Sequence, residues 1–308
     1  MIGAVVSRLG ETPRLRDFPE PQLVPGAGIV SVLAAGLNPS DRLYADGVIG
    51  SLPLPRVVGN EGVGLINGRR VYFERTVPPH GALAPRALTQ LETMIDVRDD
   101  LDDVTAVTLG ISSLAAWVSL EHTARIEAGE HVLVLGASGP VGQAAVYAAR
   151  LLGAGRIVAA SRHEPSVKRL LNLGVADAIV VLDGVDDASA LCSSTDRGFD
   201  VVVDPLFGEP LVAALHASTE RARVVELGMS AGDVAAIPWL ALRGRTLFGY
   251  SNLDVAAEIK RSAYVRMMKH AAKGELSIAA ETVPLADIES GWQRIRAAPH
   301  CKLVVLPT

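Results

Sequence analysis

The sequence has 308 residues, of which 49% are hydrophobic and 20% are charged, and its formal net charge is -5 at pH 7. This length suits two domains of ordinary size, and the composition is typical of a globular protein with apolar cores. The acidic balance and the lack of a basic block argue against a nucleic-acid surface or a polybasic membrane patch. No apolar run reaches the roughly 18 residues that a membrane span needs.

The cysteine and histidine patterns exclude two further classes of site. Only Cys192 and Cys301 are present, so no disulfide framework is predicted. The seven histidines are scattered without the close pairing that is typical of metal ligands, so no metal site is predicted. The N-terminal residues lack the features of a signal peptide, and we expect a cytoplasmic protein.

The first 110 residues predict a domain rich in β-strands. Short apolar runs such as "GIVSVLAAG", "VVGNEGVGLI" and "RRVYF" are separated by turn residues. The stretch "AAGLNPSDRLYADG", residues 34–47, overlaps the end of the first run and has the composition of a surface turn.

The pattern changes near residue 111, where strands begin to alternate with helices. The runs "HVLVLG", "RIVAAS", "DAIVV", "FDVVVD", "RARVVELG" and "RTLFGY" predict strands, and "PVGQAAVYAARLLGA" and "EPSVKRLLNLG" predict helices. Alternation of this kind indicates a parallel sheet covered on both faces. The last 60 residues predict a long helix that ends at Gly274, a shorter helix and the closing strand "CKLVVLP".

The stretch "HVLVLGASGPVGQAA" predicts a phosphate-binding loop between a strand and a helix. Gly136 allows a tight turn, Gly139 allows the backbone to approach a pyrophosphate, and Gly142 allows the helix to pack against the strand. The N–H groups at the start of the helix would face the phosphates. The predicted cofactor-binding residues here are Gly136, Ala137, Ser138, Gly139, Pro140, Val141 and Gly142. The alternative is a turn of a parallel sheet with no ligand.

The end of the next strand favours NADPH as the cofactor. An acidic residue at this place would bind the ribose hydroxyls of NAD. The sequence has Ser161, Arg162 and His163 instead, and the planar guanidinium of Arg162 suits a phosphate. The alternative is that Arg162 is a solvated surface residue.

Two later loops are also expected to contact the cofactor. Gly228, Met229 and Ser230 follow one late strand, and Asn252 follows another. Ligands of such sheets bind at the carboxyl ends of the strands, so we expect these residues to border the nicotinamide.

The motifs "AAGLNPSD", "VVGNEGVG", "GASGPVG" and "CKLVVLP" together resemble the medium-chain dehydrogenase/reductase superfamily, in particular its zinc-free quinone oxidoreductase branch. The resemblance implies an α/β protein with a GroES-like β-barrel catalytic domain, residues 1–110 and 247–308, and a Rossmann NADP-binding domain, residues 111–246. It also implies a homodimer and a small-molecule quinone or carbonyl substrate.

Zinc-dependent members of the superfamily hold a catalytic metal through Cys, His and Cys, and the resemblance places Asn38, Asn60 and Ile111 at those positions. It therefore implies zinc-independent, NADPH-dependent reduction of a quinone or an α,β-unsaturated carbonyl. The sequence departs from its relatives at Ala115, where they often have Thr, and at Leu43, where bacterial members have a Tyr; Cys301 replaces a glycine.

Four residues form the candidate catalytic set: Asn38, Asp41, Tyr44 and Asn60. Asn38 has an amide donor for a carbonyl oxygen, and Asn60 could do the same or hold water. The spacing of Asp41 suits a bond to nearby backbone that fixes the loop. Tyr44 is either a proton donor or a packing aromatic, and for Glu61 a structural role is favoured.

Two other functions stay open at this point. One is an NADPH-binding protein with little catalysis, used as a structural or regulatory component. The other is a reductase that serves a biosynthetic pathway and acts on one dedicated substrate.

Overall fold

The computed structural model describes residues 1–307 and divides into two compact units. Unit 1 contains Met1–Ser112 and the chain from Ala257 onward, and unit 2 contains Ser113–Ala256. The strands, in chain order, are β1 (Ile2–Val6), β2 (Arg14–Asp17), β3 (Ala27–Leu37), β4 (Arg56–Val57), β5 (Glu61–Ile66), β6 (Arg69–Glu74), β7 (Arg86–Gln90), β8 (Ile95–Asp96), β9 (His131–Val134), β10 (Arg156–Ser161), β11 (Ala178–Val181), β12 (Phe199–Asp204), β13 (Ser218–Glu226), β14 (Thr246–Gly249), β15 (Ala280–Pro284) and β16 (Lys302–Leu306). The helices are α1 (Pro39–Ala45), α2 (Asp103–Thr108), α3 (Ile111–Val118), α4 (Pro140–Leu151), α5 (Glu164–Asn172), α6 (Asp187–Ser193), α7 (Glu209–His216), α8 (Trp239–Leu242), α9 (Ala257–Ala272) and α10 (Ile288–Arg296).

Unit 1 is built on two sheets that are mostly antiparallel. One sheet has the order β15-β16-β3-β5-β6-β8, with β7 also paired to β3, and the other has the order β2-β1-β4. Leu37, Phe73 and Trp292 belong to the buried apolar cluster beneath these strands. The prediction of a β-rich domain is confirmed, and the closing strand of the chain pairs with β3 near Leu37.

Unit 2 contains a six-stranded sheet with the order β11-β10-β9-β12-β13-β14. All its pairs are parallel, and the order is that of a doubly wound dinucleotide-binding sheet. Val201, Val202 and Val203 are all fully buried, because helices and loops cover both faces of the central strands. The predicted Rossmann sheet is confirmed.

Residues 34–47 have the composition of a surface turn, but most of them are not in one. This segment holds the end of β3 and the helix α1. Asn38 has extended backbone at the N-cap, Pro39 is the first helical residue, and the Asp41 carboxylate accepts a hydrogen bond of 2.8 Å from the Asn38 N–H. Asn, Pro and Asp at these three positions are start signals of a helix as well as turn residues, and the following "RLYA" continues the helix.

The domain boundary expected at residue 247 differs from the structural division at Ala257. Residue 247 lies inside β14, where Leu247 pairs in register with Val224 of β13. Since this pairing extends the parallel sheet by one strand, residues 247–256 belong to unit 2. The long helix predicted near the C-terminus is confirmed as α9.

Candidate active site and cofactor loop

The predicted phosphate loop connects β9 to α4 with the backbone that its glycines require. Gly136 has a φ of +58°, which is unfavourable for residues with a side chain. A Cβ atom at Gly142 would lie 2.3 Å from the Gly136 carbonyl oxygen, so only glycine allows this approach of helix and loop. A Cβ atom at Gly139, by contrast, would meet nothing closer than 3.7 Å. The fold therefore requires Gly142 but leaves space beside Gly139.

The loop leaves backbone donors at the start of α4. The Ala137 and Gly139 N–H groups donate to carbonyl oxygens within unit 2, each at 3.0 Å. Pro140 has no N–H, and Val141 and Gly142 lie in the first turn, where an α-helix provides no acceptor. Together with the positive end of the helix dipole, these two N–H groups form an environment suited to an anion.

The end of β10 combines a fixed serine with an unpaired arginine. Ser161 is buried, and its hydroxyl donates to Ser138 Oγ at 2.7 Å and accepts from the His163 N–H at 3.2 Å. His163 Nδ1 lies 2.7 Å from Ser166 Oγ. Arg162 is exposed and forms no ion pair within residues 1–307. The serine side chains join the strand end to the loop, and the guanidinium is available to a ligand.

The later loops of unit 2 lie at the carboxyl ends of β13 and β14. Gly228, Met229 and Ser230 are exposed, and Ser230 Oγ donates to the Pro205 carbonyl at 3.0 Å. Asn252 Oδ1 accepts a hydrogen bond of 2.7 Å from the Tyr250 hydroxyl. The first contact fixes its loop to neighbouring backbone, and the second joins two side chains within one loop. Contact of these residues with a nicotinamide stays a prediction.

Two carboxyl groups lie next to each other at the carboxyl ends of the strands of this sheet, and the predicted site does not include them. Asp204 ends β12, Glu226 ends β13, and the two are register partners. Asp204 Oδ1 accepts from the N–H groups of Leu206 at 2.6 Å and Phe207 at 3.1 Å. Burial, and then the neighbouring charge of Asp204, raise the pKa of Glu226 to about 9. The signal in the sequence was an acidic residue at the end of each of two apolar runs, "FDVVVD" and "RARVVEL".

Three of the four candidate catalytic residues meet in unit 1. Asn60 Nδ2 donates to Asp41 Oδ1 at 2.9 Å, while Asp41 Oδ2 accepts from the Asn38 N–H at 2.8 Å. The expectation that Asp41 binds nearby backbone is thus confirmed, and the carboxylate also bonds Asn60. Burial raises the pKa of Asp41 to about 6, against the lowering effect of the bond from Asn38.

The side chain of Asn38 is engaged within the protein. It is 2% exposed, its Nδ2 donates to Glu61 Oε1 at 2.8 Å, and its Oδ1 accepts from Lys302 Nζ at 2.5 Å. The idea that this amide meets a substrate carbonyl is therefore not favoured by its contacts. Asn38 instead links the helix α1 to a buried ion pair.

That ion pair joins Glu61 to Lys302, whose Nζ lies 2.5 Å from Glu61 Oε1. Glu61 Oε2 accepts from the Ile111 N–H at 2.6 Å and from the Tyr72 hydroxyl at 3.0 Å. A Cβ atom at Gly110 would lie 2.1 Å from Glu61 Oε2, so the backbone closes directly on the carboxylate. The structural role favoured for Glu61 agrees with these contacts.

A second buried ion pair continues the network away from α1. Lys260 of α9 bonds Glu74 of β6, and Glu74 Oε2 lies 3.3 Å from the Tyr72 hydroxyl. The rings of Tyr72 and Tyr264 stack with centroids 4.6 Å apart. Burial raises the pKa of Tyr72 well above its usual range, so its hydroxyl remains a donor. The network balances two carboxylates with two ammonium groups.

Tyr44 is half-buried on α1, and its hydroxyl forms no hydrogen bond to any residue of 1–307. Among the candidate set it has the least constrained polar group. In the same range of residues, no three His, Cys, Asp or Glu side chains stand close enough to hold a metal ion. The helices described there also include none that is long and apolar enough to cross a membrane.

Comparison with known proteins adds the family. A family model described as zinc-binding dehydrogenase matches residues 140–270. The quinone oxidoreductase of Thermus thermophilus, whose structures include a complex with NADPH, is 29% identical and covers 99% of this chain and 100% of its own, with a TM-score of 0.85. The chain belongs to the medium-chain dehydrogenase/reductase superfamily. The family predicted from the motifs is thereby confirmed.

Two curated proteins are also similar to this chain, one of them a quinone oxidoreductase and the other a polyketide synthase. Mouse quinone oxidoreductase is 30% identical over 65% of this chain and 64% of its own. A phenolphthiocerol/phthiocerol polyketide synthase of Mycobacterium tuberculosis is 30% identical over 90% of this chain and 13% of its own. This chain therefore spans less than two thirds of the length of either relative. The family-model match excludes residues 38, 60 and 111, so its name has no bearing on metal ligands there.

Proposed function

We propose that this chain is a zinc-independent, NADPH-dependent oxidoreductase that transfers a hydride to a quinone or an α,β-unsaturated carbonyl compound. The observation that carries the proposal is the space beside Gly139. Packing of the fold requires a glycine at position 142 of the same loop but not at position 139. A glycine that the fold does not need is explained by a ligand that approaches the backbone there. The similarity to quinone oxidoreductases supports the choice of reaction.

The residues of unit 2 fit NADPH by their chemistry. The N–H groups of Val141 and Gly142 would hold the pyrophosphate, and the unpaired guanidinium of Arg162 would hold the additional ribose phosphate. Ser161, Ser138 and His163 would fix this loop. When bound, NADPH supplies the hydride, and a proton from water or an acidic side chain completes the reduction.

The residues of unit 1 would bind the substrate oxygen without a metal. Asn38, which the resemblance places where zinc-dependent relatives keep a metal ligand, accepts a hydrogen bond of 2.5 Å from the Lys302 ammonium group, whose charge is paired with Glu61. Tyr44 and Asn60 are then better candidates than Asn38 for contact with a carbonyl oxygen, because both are half-buried and Tyr44 has a free hydroxyl. A hydrogen-bond donor aimed at developing oxygen charge stabilises the transition state.

A reductase with one dedicated biosynthetic substrate is the second candidate. The observation that favours it is the match of 90% of this chain to a segment of a polyketide synthase. Both candidates share hydride transfer to a carbonyl-activated acceptor and differ in the breadth of the substrates that they accept.

A homodimer is part of the same proposal. β14 is an edge strand of the six-stranded sheet, and Trp239 and Leu240 in α8 are 70% and 71% exposed. Unpaired strand edges and exposed apolar side chains are features of protein interfaces. Light scattering after size exclusion would report twice the chain mass of 32.3 kDa, and a monomer would contradict this part.

Turnover with a panel of acceptors tests the proposed reaction. The protein is mixed with NADPH and either simple quinones, short enones or longer acyl-like enones, and the absorbance of the reduced nicotinamide is followed. Oxidation of NADPH by quinones supports a reductase that accepts many substrates. Oxidation of NADPH by only one acyl-like enone supports a reductase with one biosynthetic substrate. NADPH binding without oxidation by any acceptor would reject both. Unchanged rates after dialysis against a chelator, with metal analysis of the sample, would support zinc independence.

A further inference from the structure

Two carboxyl groups of unit 2 that the proposed reaction does not use lie side by side. Asp204 ends β12, Glu226 ends β13, and the two are register partners of parallel strands. Asp204 is fully buried, and its Oδ2 atom and both carboxyl oxygens of Glu226 are buried without a donor among residues 1–307. Ionised carboxylates only accept hydrogen bonds, so one shared proton is needed for Glu226 to donate to Asp204.

No cation compensates this pair in the described part of the chain. The charge that acts on Glu226 comes from Asp204, and neither carboxyl forms an ion pair there. The two loops that follow the strands, residues 205–208 and 227–231, contain no titratable side chain. From β14, the Tyr250 N–H donates to the Glu226 carbonyl oxygen at 3.0 Å. Burial, and then the charge of Asp204, raise the pKa of Glu226 to about 9, so the pair holds a proton at neutral pH.

Asp204 also fixes the loop 205–208 that follows it. Its Oδ1 accepts hydrogen bonds from the Leu206 N–H at 2.6 Å and from the Phe207 N–H at 3.1 Å. Phe207 has a φ of +58°, in the left-handed region that residues with a side chain rarely adopt. The two bonds to Asp204 therefore hold a backbone conformation that is otherwise disfavoured.

This loop borders the predicted phosphate loop. β12 pairs with β9, which leads into the phosphate loop, and the order of the strands reverses between these two. Ligands of doubly wound sheets bind at such a switch point. A Cβ atom at Gly136 would lie 3.0 Å from Pro205 Cγ and from Leu206 Cδ2, so these side chains pack against the first glycine of the phosphate loop.

The loop that follows Glu226 is joined to the same segment. The Ser230 N–H and hydroxyl donate to the Pro205 carbonyl oxygen at 3.3 Å and 3.0 Å. The Ala231 N–H donates to the Leu206 carbonyl oxygen at 2.8 Å. The carboxyl pair thus lies at the base of two connected loops, one of which contacts the phosphate loop.

We propose that Asp204 and Glu226 are positioning residues for the cofactor, and that the proton they share keeps the loop 205–208 against the phosphate loop and maintains the affinity for NADPH. The proposal rests on the proposed function, because it takes NADPH to bind at the phosphate loop. Loss of the proton leaves two negative charges next to each other and largely withdrawn from water, which favours their separation. Asp204 cannot move away without losing its bonds to Leu206 and Phe207, so separation disturbs the loop.

The pH dependence of nucleotide binding tests the proposal. NADPH is titrated by fluorescence at pH 7.5 and pH 10, where its phosphates are fully ionised throughout. Because the protonated pair binds and Glu226 titrates at about 9, the wild-type Kd should be about tenfold higher at pH 10. NADH should show the same ratio, since the phosphate loop binds the part that both nucleotides share. Equal Kd values for NADPH at the two pH values in the wild type would overturn the proposal.

Two conservative variants replace the shared proton with an amide hydrogen. Glu226→Gln can donate to Asp204 at any pH. Asp204→Asn keeps an oxygen for the Leu206 and Phe207 N–H groups and can donate to Glu226. In both variants the Kd for NADPH should be nearly the same at pH 7.5 and pH 10. Asp204→Leu removes the acceptor and should weaken binding at both pH values. Glu220→Gln, at an 80% exposed position on β13, is the control and should keep the wild-type ratio.

Folding is checked by circular dichroism at each pH, and the Kd is measured only where the protein is folded. If Asp204→Leu does not fold, the two amide variants still decide. A tenfold rise that persists in both amide variants would show that another group titrates, and would reject the proposal. Stability that falls with pH at a constant Kd is expected of a merely structural pair and would also reject it.

Binding is measured without turnover, which separates this proposal from the proposed function. The expected pH profile of NADPH binding without oxidation by any acceptor would support the positioning pair and reject the reductase. Turnover with a Kd that does not change with pH would reject the positioning pair and leave the reductase. A protein that binds NADPH at neither pH would overturn both.

Discussion

Lys302 Nζ lies 2.5 Å from Glu61 Oε1, although 241 positions separate the two residues in the sequence. Lys302 belongs to the closing strand β16, and Glu61 begins β5 in the first part of unit 1. Neither side chain is more than 1% exposed. This ion pair therefore ties the C-terminal segment to the strands beside α1, and Asn38 bridges the same two side chains.

Removing one partner of this pair should destabilise unit 1 strongly. In Lys302→Met, the Glu61 carboxylate stays buried without its counterion, and we expect a loss of about 3–5 kcal/mol in the free energy of unfolding. The double variant Lys302→Met/Glu61→Gln should lose less than the sum of the two single changes, because no uncompensated charge remains. Urea unfolding, monitored by circular dichroism, measures the free energy of unfolding of the two single variants and the double variant.

The exposed pair of Arg69 and Asp96 provides the matched control. Arg69→Met should cost no more than about 1 kcal/mol, as is usual for exposed ion pairs. Additive losses in the double variant would show that Lys302 and Glu61 stabilise the fold independently of each other.

Alanine substitutions at two of the three glycines of the phosphate loop should separate effects on folding from effects on cofactor binding. Gly142→Ala places a Cβ atom 2.3 Å from the Gly136 oxygen and should lower the melting temperature. Gly139→Ala has space in the fold and should melt close to the wild type, but it should weaken NADPH binding because its methyl group occupies the approach of the ligand. Differential scanning fluorimetry and NADPH fluorescence titration measure the two effects. Unchanged NADPH binding in Gly139→Ala would refute the role given to this glycine.

The sequence predicted the six strands of unit 2 and its helices α4 and α5, because continuous apolar strands and glycine-bounded helices are local signals, but it gave no prediction for α6, α7 or α8. It did not predict the partners of Asn38, which come from β5 and β16. Lys302 and Glu61 are charged residues inside the apolar runs "CKLVVLP" and "GNEGVGLI", but a role, a structural one, was predicted only for Glu61. Pairing them requires the register of distant strands, which no local pattern contains. The helix α1 was missed for another reason, since Asn, Pro and Asp serve turns and helix starts alike.

Arg162 should determine the choice between NADPH and NADH. Its exposed guanidinium follows β10 and has no ion pair within the described chain, so it can bind the additional phosphate of NADPH. Arg162→Ala should weaken NADPH binding by about 10- to 100-fold, in line with the loss of a charged hydrogen bond, and leave NADH binding nearly unchanged. Arg169→Ala removes an exposed arginine from the following helix and should change neither affinity. Similar losses for both nucleotides in Arg162→Ala would show that this arginine does not bind the phosphate.

The carboxyl pair at the ends of β12 and β13 should make the stability of unit 2 depend on pH. The pKa of Glu226 is raised to about 9 in the folded protein, from an ordinary value of 4.5. Between these two values the folded state holds a proton that the unfolded state releases, so the free energy of unfolding falls as the pH rises. Glu226→Gln keeps a neutral side chain next to Asp204 and removes this dependence. Relative to the wild type, its melting temperature should therefore increase steadily from pH 6 to pH 9.

Glu220→Gln, at an 80% exposed position on the same strand, provides the control and should follow the wild type. Parallel curves for Glu226→Gln and the wild type would show that Glu226 is already ionised in the folded protein at neutral pH, and that the pair shares no proton there.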